Sequence, residues 1–129
     1  MAVTKLTNKR FAEGVIVSAT TVGTSTAMVT NIAGEDATVL SISGYNQHTS
    51  AVDLSLCRVP DNAASVGTPD VNDTLYFVTL EAKDSFFLGP EDIRIELLDT
   101  NDTITAFASV ANKVHIWADG CVEPTTTEI

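Results

Sequence analysis

The chain has 129 residues, 44% of them hydrophobic and 19% charged, the profile of one ordinary globular domain. Seventeen acidic residues against seven basic ones give a formal charge of −10, which repels a phosphate backbone and argues against nucleic-acid binding. No apolar run approaches the ~20 residues of a membrane helix, and Met1-Ala2-Val3-Thr4-Lys5-Leu6-Thr7 lacks the apolar core of a signal peptide, so neither a membrane nor a secretory route is expected.

In chain order, residues 1–13 read as a basic arm. Lys5, Lys9 and Arg10 fall in the first ten residues, where there is no acid, leaving four basic and seventeen acidic side chains in the rest. A basic arm on an acidic body can dock on a neighbouring copy; the plain alternative is a frayed terminus. Residues 14–123 read as a β-sandwich domain and 124–129 as a short polar tail. Eighteen threonines and fourteen valines supply β-branched side chains that suit a pleated surface and resist helix. Period-2 alternation predicts strands at 15–22 and 27–32, then at 37–43, with Leu40 and Ile42 on one face, and at 51–58, with Val52, Leu54 and Leu56 inward. The segment Gly44 to Ser50 between the last two predicts a hairpin.

Residues 60–73 form the one long connection, and a loop of that length in a compact domain suggests partner contact or a solvated excursion. Further strands are predicted at 75–81, 91–97, 103–109 and 113–118, with Ile93/Ile95/Leu97, Ile104/Ala106/Ala108 and Val114/Ile116/Ala118 inward. About eight short strands with little helix define the expected fold: an all-β, two-sheet antiparallel sandwich of jelly-roll type.

The candidate chemistry is sparse. The phrase Asp-x-Asn-Asp-Thr occurs at Asp70–Thr74 and Asp99–Thr103. Its oxygen density invites calcium, but the Gly and Glu of a helix-loop-helix calcium loop are missing. Asn and Asp that bond their own backbone in turns explain the phrase more simply, and no metal or cofactor is expected. Cys57 and Cys121 read as reduced thiols. His48 sits in a loop and His115 on the outward parity beside Trp117, and no nucleophile elbow, phosphate loop or His-Glu-x-x-His is present, so catalysis is not expected. Sticky surface remains: Phe86 and Phe87 must point to opposite faces if extended, and Tyr45 and Trp117 are further candidates for contact. The expected partner-binding residues are therefore Lys5, Lys9, Arg10, Phe86, Phe87, Trp117 and Tyr45.

Leu75-Tyr76-Phe77-Val78-Thr79-Leu80-Glu81-Ala82, then Asp102-Thr103-Ile104-Thr105-Ala106-Phe107-Ala108-Ser109 with Asn112, then Trp117-Ala118-Asp119-Gly120-Cys121-Val122-Glu123 follow a recurring plan. Ser41-Ile42-Ser43-Gly44-Tyr45-Asn46 and Leu56-Cys57-Arg58-Val59-Pro60 fit the part before it. Over residues 37–123 the chain resembles small virion structural proteins of tailed bacteriophages, including those of marine and cyanobacterial hosts. The resemblance implies a multi-copy β-sandwich made in the host cytoplasm and carried on the virion, with no catalytic residues. Within that family the preferred reading is a capsid decoration (cement) protein on the outer surface, bound to the major capsid protein or other virion proteins and self-associating, with a trimer among the expected forms. A neck, tail or fibre module is the runner-up, and a host-surface carbohydrate-binding module is the alternative from another class.

Overall fold

The structure, a computed structural model, describes residues 6–62 and 65–124. Among the described residues nine strands carry the fold: β1 (Thr7–Ile16), β2 (Thr26–Thr30), β3 (Glu35–Asn46), β4 (Val52–Val59), β5 (Thr74–Leu80), β6 (Ser85–Leu88), β7 (Ile95–Leu97), β8 (Thr103–Ala108) and β9 (Val114–Pro124). The helical elements among the described residues are two single 3-10 turns, Val22–Thr24 and Val71–Asp73. One sheet has the order β1-β9-β3-β6, with β7 also pairing β3, and the other the order β2-β8-β4-β5. All pairings are antiparallel and nested: β1 takes β9, β2 takes β8, β3 takes β6 and β7, and β4 takes β5. This is the jelly roll, with β6 and β7 sharing one strand position.

The core lies between the sheets. Val39, Ile42, Leu54, Leu56, Leu80, Leu97, Ile104, Val114 and Ile116 are all at most 2% exposed, and each contributes about 1.5–3 kcal/mol of burial. The inward faces expected for 52–56, 95–97, 104–108 and 114–118 are found there.

Other expectations are corrected. Residues 7–13 are not a free arm but most of β1, paired along β9 with two register shifts. Their charges are what an edge strand carries to keep foreign strands off. Of the predicted strand at 15–22, Val15 and Ile16 close β1 and the residues after them form a corner: Val17 bonds Val114 and Asn112 in one sheet region, and Ala19 accepts from Ala108 in the other sheet. Strands β3 and β4 do not form a hairpin; they lie in different sheets. The turn between them is held by Asn46, fully buried, whose Nδ2 donates to the carbonyls of Ser50, Leu80 and Glu81 at 3.0–3.1 Å while its Oδ1 accepts from the His48 N–H at 2.9 Å. Those bonds tie the β3–β4 corner to the β5–β6 turn, so the chain crosses the sandwich instead of returning beside itself.

Leu40 and Ile42 do not share a face. A register shift between Val39 and Ser41 puts Val39 and Ile42 inward and leaves Leu40 half-buried on the outside. The shift falls where β3 changes partner from β7 (residues 37–39) to β6 (residues 42–45), so residues 91–97 yield only the three-residue β7, and Ser85–Leu88 is a strand of its own.

The 60–73 connection folds back. Gly67 packs so close to the Pro60 carbonyl that a Cβ there would collide with it, and would also stand 3.1 Å from Val59 Cγ1. Cys57, Val59 and Thr103 are buried although they stand on the outward parity of β4 and β8, and Val59 lies against Gly67 of this connection.

Candidate interaction surface

The outer face of the β1-β9-β3-β6 sheet gathers aromatic side chains by register. Ser43 of β3 faces Trp117 of β9 on one side and Phe87 of β6 on the other. The neighbouring row places Tyr45 between His115 and Ser85. Directly opposed Cβ atoms in such rows lie ~4.5–5.5 Å apart, so the small Ser43 leaves a shallow seat between two large rings. His115 and Trp117 stack, with centroids 6.4 Å apart and planes 21° from parallel. The Trp117 ring closes over Gly14, whose φ of +62° and lack of a side chain admit it: a Cβ there would stand 3.6 Å from the indole. Phe87 is 66% exposed and Tyr45 37%, whereas Trp117 and His115 are half-buried. The His115 Nε2 is shielded and makes no hydrogen bond within the protein.

Charge borders the patch. Arg10 Nε donates to Asp119 Oδ1 at 2.7 Å, a bond that raises the guanidinium pKa further and keeps it charged. Lys9 lies 3.7 Å from Glu35 and 5.7 Å above the Phe11 ring. Beyond them, where β3 loses its edge partner, a groove of about 390 Å³ opens. Leu6, Leu40 and Leu98 alternate there with Asp36, Glu96 and Glu123, and Arg94 stands on its wall.

Of the residues singled out from sequence, Tyr45, Phe87 and Trp117 therefore come together, though they lie on three strands. Lys9 and Arg10, both exposed, pair with acids of their own domain, because β1 runs beside β9 and near the start of β3. Lys5 lies outside the described residues. Phe86 is not on this surface: it points inward, 5.9 Å from the Tyr76 ring, into the space left by Gly44, where a Cβ would collide with the Phe86 ring and stand 3.0 Å from Ile116 Cδ1. The groove was missed by sequence reasoning because a bulge and a broken edge, neither visible as a motif, create it.

The two Asp-x-Asn-Asp-Thr phrases fold as one device. The Asp70 N–H donates to Asp73 Oδ2 at 2.9 Å, and the Asp99 N–H to Asp102 Oδ2 at 3.2 Å. In each copy the second Asp returns its own N–H to the carbonyl of the first, at 2.9 and 3.1 Å. Gly89-Pro90-Glu91-Asp92 repeats the geometry with Gly89 N–H on Asp92 Oδ2 at 3.0 Å. Asp61, Asp99 and Asp102 do bring carboxylate oxygens within 4.8 Å of one another. Within this cluster, buried Asp102 already accepts from the Asp61 and Asp99 N–H groups and lies 3.7 Å from Arg58 Nη2. These contacts are those of a charge-satisfied turn.

The surface offers stacking faces and apolar area rather than a paired acid and base. Comparison of the chain with known protein families and with curated protein sequences finds no match.

Proposed function

We propose that the protein is a virion structural component of a tailed bacteriophage, a decoration protein that sits on the outer capsid and bridges neighbouring capsid subunits. The observation that carries the reading is the aromatic patch of Phe87, Tyr45 and Trp117 on one outer sheet face of an acidic jelly roll. Large rigid rings at the centre of a contact supply most of its energy, an outer sheet face suits a protein surface better than a small ligand, and the charge of −10 favours the outside of a DNA-filled shell. Weak contacts repeated over the shell's symmetry then add up. Partners on this reading are the major capsid protein and further copies of the chain, with no nucleic acid or membrane. No helix among the described residues is long and apolar enough to cross a membrane.

The test is co-sedimentation with tailed-phage capsid shells. Tyr45→Ala and Phe87→Ala are expected to weaken shell binding by about 2 kcal/mol each, roughly thirtyfold, and to leave the melting temperature within a few degrees. Binding unchanged by both, or copies confined to one vertex, defeats the decoration role; the second result points to the neck or tail. A second reading has an observation of its own: Tyr45 and Trp117 share a face with Asp119, the pairing of ring and carboxylate that a host-surface glycan uses. A glycan array positive for the wild type and negative for Tyr45→Ala favours that reading instead.

A further inference from the structure

Sheet edges attract strands, and three of the four in this jelly roll carry a deterrent. β1 has two register shifts and presents Lys9, Arg10 and Glu13. β2 is five residues long and shifts register between Ala27 and Val29. The β6/β7 edge is broken into pieces of four and three residues around Gly89-Pro90. β5 is different. Thr74-Leu75-Tyr76-Phe77-Val78-Thr79-Leu80 contains no charge, proline or glycine, and among the described strands it pairs with β4 alone. Its irregularity is confined to its first residues, where Leu56 faces Tyr76 and Cys57 faces Thr74. Outward along it stand Leu75, 37% exposed, and Phe77, 58% exposed. Behind Phe77 the row continues through Ser55 to Phe107, both uncharged.

We propose that the free edge of β5 is a two-fold self-association site, where β5 of a second copy adds antiparallel and joins the two four-stranded sheets into one. The occupant follows from charge and symmetry. Two copies at −10 each repel over most approaches, whereas the middle of the β5 edge and the row behind Phe77 carry no charge, the nearest acids being Asp53 beside Thr79 and Asp73 and Glu81 at the ends of the strand. An antiparallel edge also presents its two-fold mate with the row of donors and acceptors it needs, so that the patch is complementary to itself. Phe77 then meets apolar surface of the mate and leaves water. The site lies on the sheet opposite the Tyr45–Phe87–Trp117 patch and stands apart from the virion role, so both surfaces can be occupied in one molecule.

The experiment is sedimentation equilibrium of the full chain through the micromolar range, at low and at moderate salt. The expected species has twice the 13.7 kDa of the chain and tightens with salt, which screens the repulsion between acidic copies. Phe77→Glu puts a charge on the largely solvated position and is expected to weaken association about tenfold or more with the circular dichroism and melting temperature of the wild type. Phe87→Glu, on the other sheet, is expected to leave the dimer intact. Amide exchange at Tyr76 to Thr79 slows as the dimer fills. A wild-type monomer throughout, a trimer, a dimer that survives Phe77→Glu, or β5 protection that appears only with a strand from another protein overturns the proposal.

Discussion

Buried polar and small residues fix the corners of this fold. Asn46 satisfies carbonyls from two separate turns, and Gly44 makes the room that Phe86 fills. Cys57 shows how burial acts on chemistry. It is fully buried, and removal from water raises its thiol pKa from the ordinary 9.0, partly opposed by hydrogen bonds with Thr74 and Thr105. Cys121 is half-buried on the outer face of the opposite sheet. Iodoacetamide at pH 8 is therefore expected to modify Cys121 well before Cys57, as peptide mass spectrometry would show; equal rates contradict the burial of Cys57. The linkage has a definite sign. The unfolded chain ionises this thiol near 9.0, and the folded chain only at higher pH. The Cys57 contribution to stability is thus intact below that pH and lost as pH climbs through the window above it.

Among elements, the turns are the most repeated invention. Three of them set an Asp at the fourth position to receive the N–H of the first, but they differ in depth. Asp73 is half-exposed, while Asp102 is buried and also holds the Asp61 N–H and Arg58. Asp102→Ala is expected to cost about 2–4 kcal/mol and Asp73→Ala about 0.5–1 kcal/mol, read by urea unfolding; equal costs would mean that burial adds nothing to the turn. This element was legible in the sequence as a repeated phrase, and so were the strands whose alternation runs unbroken, such as Val52/Leu54/Leu56. What escaped was whatever depends on the third dimension. Leu40 and Ile42 alternate correctly in sequence, yet a one-residue shift turns Leu40 out. Residues 37–58 have the grammar of a hairpin, and only Asn46's distant acceptors show that the chain crosses between sheets. The charges of β1 suggested a tail because an edge strand can carry them without disturbing its inward Ala12. The aromatic patch was half visible: parity placed Trp117 outward and set Phe86 and Phe87 on opposite faces without saying which was outside, and only the pairing of β9, β3 and β6 set Trp117 and Phe87 side by side.

At the scale of the whole molecule, two opposed forces stand out. The excess of acid pushes the surface apart, and Arg58 draws the end of the sandwich together: it stands on β4, yet its Nη2 donates to the Glu96 carbonyl of β7 in the other sheet at 2.8 Å. Screening relieves the first force more than it weakens the partly covered second one. The melting temperature is expected to rise by several degrees between low salt and about 0.5 M sodium chloride. A fall, followed by differential scanning calorimetry, would mean that surface ion pairs such as Arg10–Asp119 outweigh the general repulsion.

The nested pairing also governs the order in which the molecule can come into being. β9, the last strand, lies between β1 and β3, so a growing chain holds two strands of one sheet with no neighbour to share until residues 114–124 have been made. The pairings of β1 with β9 and β2 with β8 join opposite ends of the sequence, and such non-local pairing slows folding to the millisecond-to-second range and leaves early synthesis with little that is stable. A chain cut before residue 114 loses the centre of a sheet rather than its margin, and with it the seat of Trp117. The surface proposed to meet a partner thus forms only once residues 114–124 are in place.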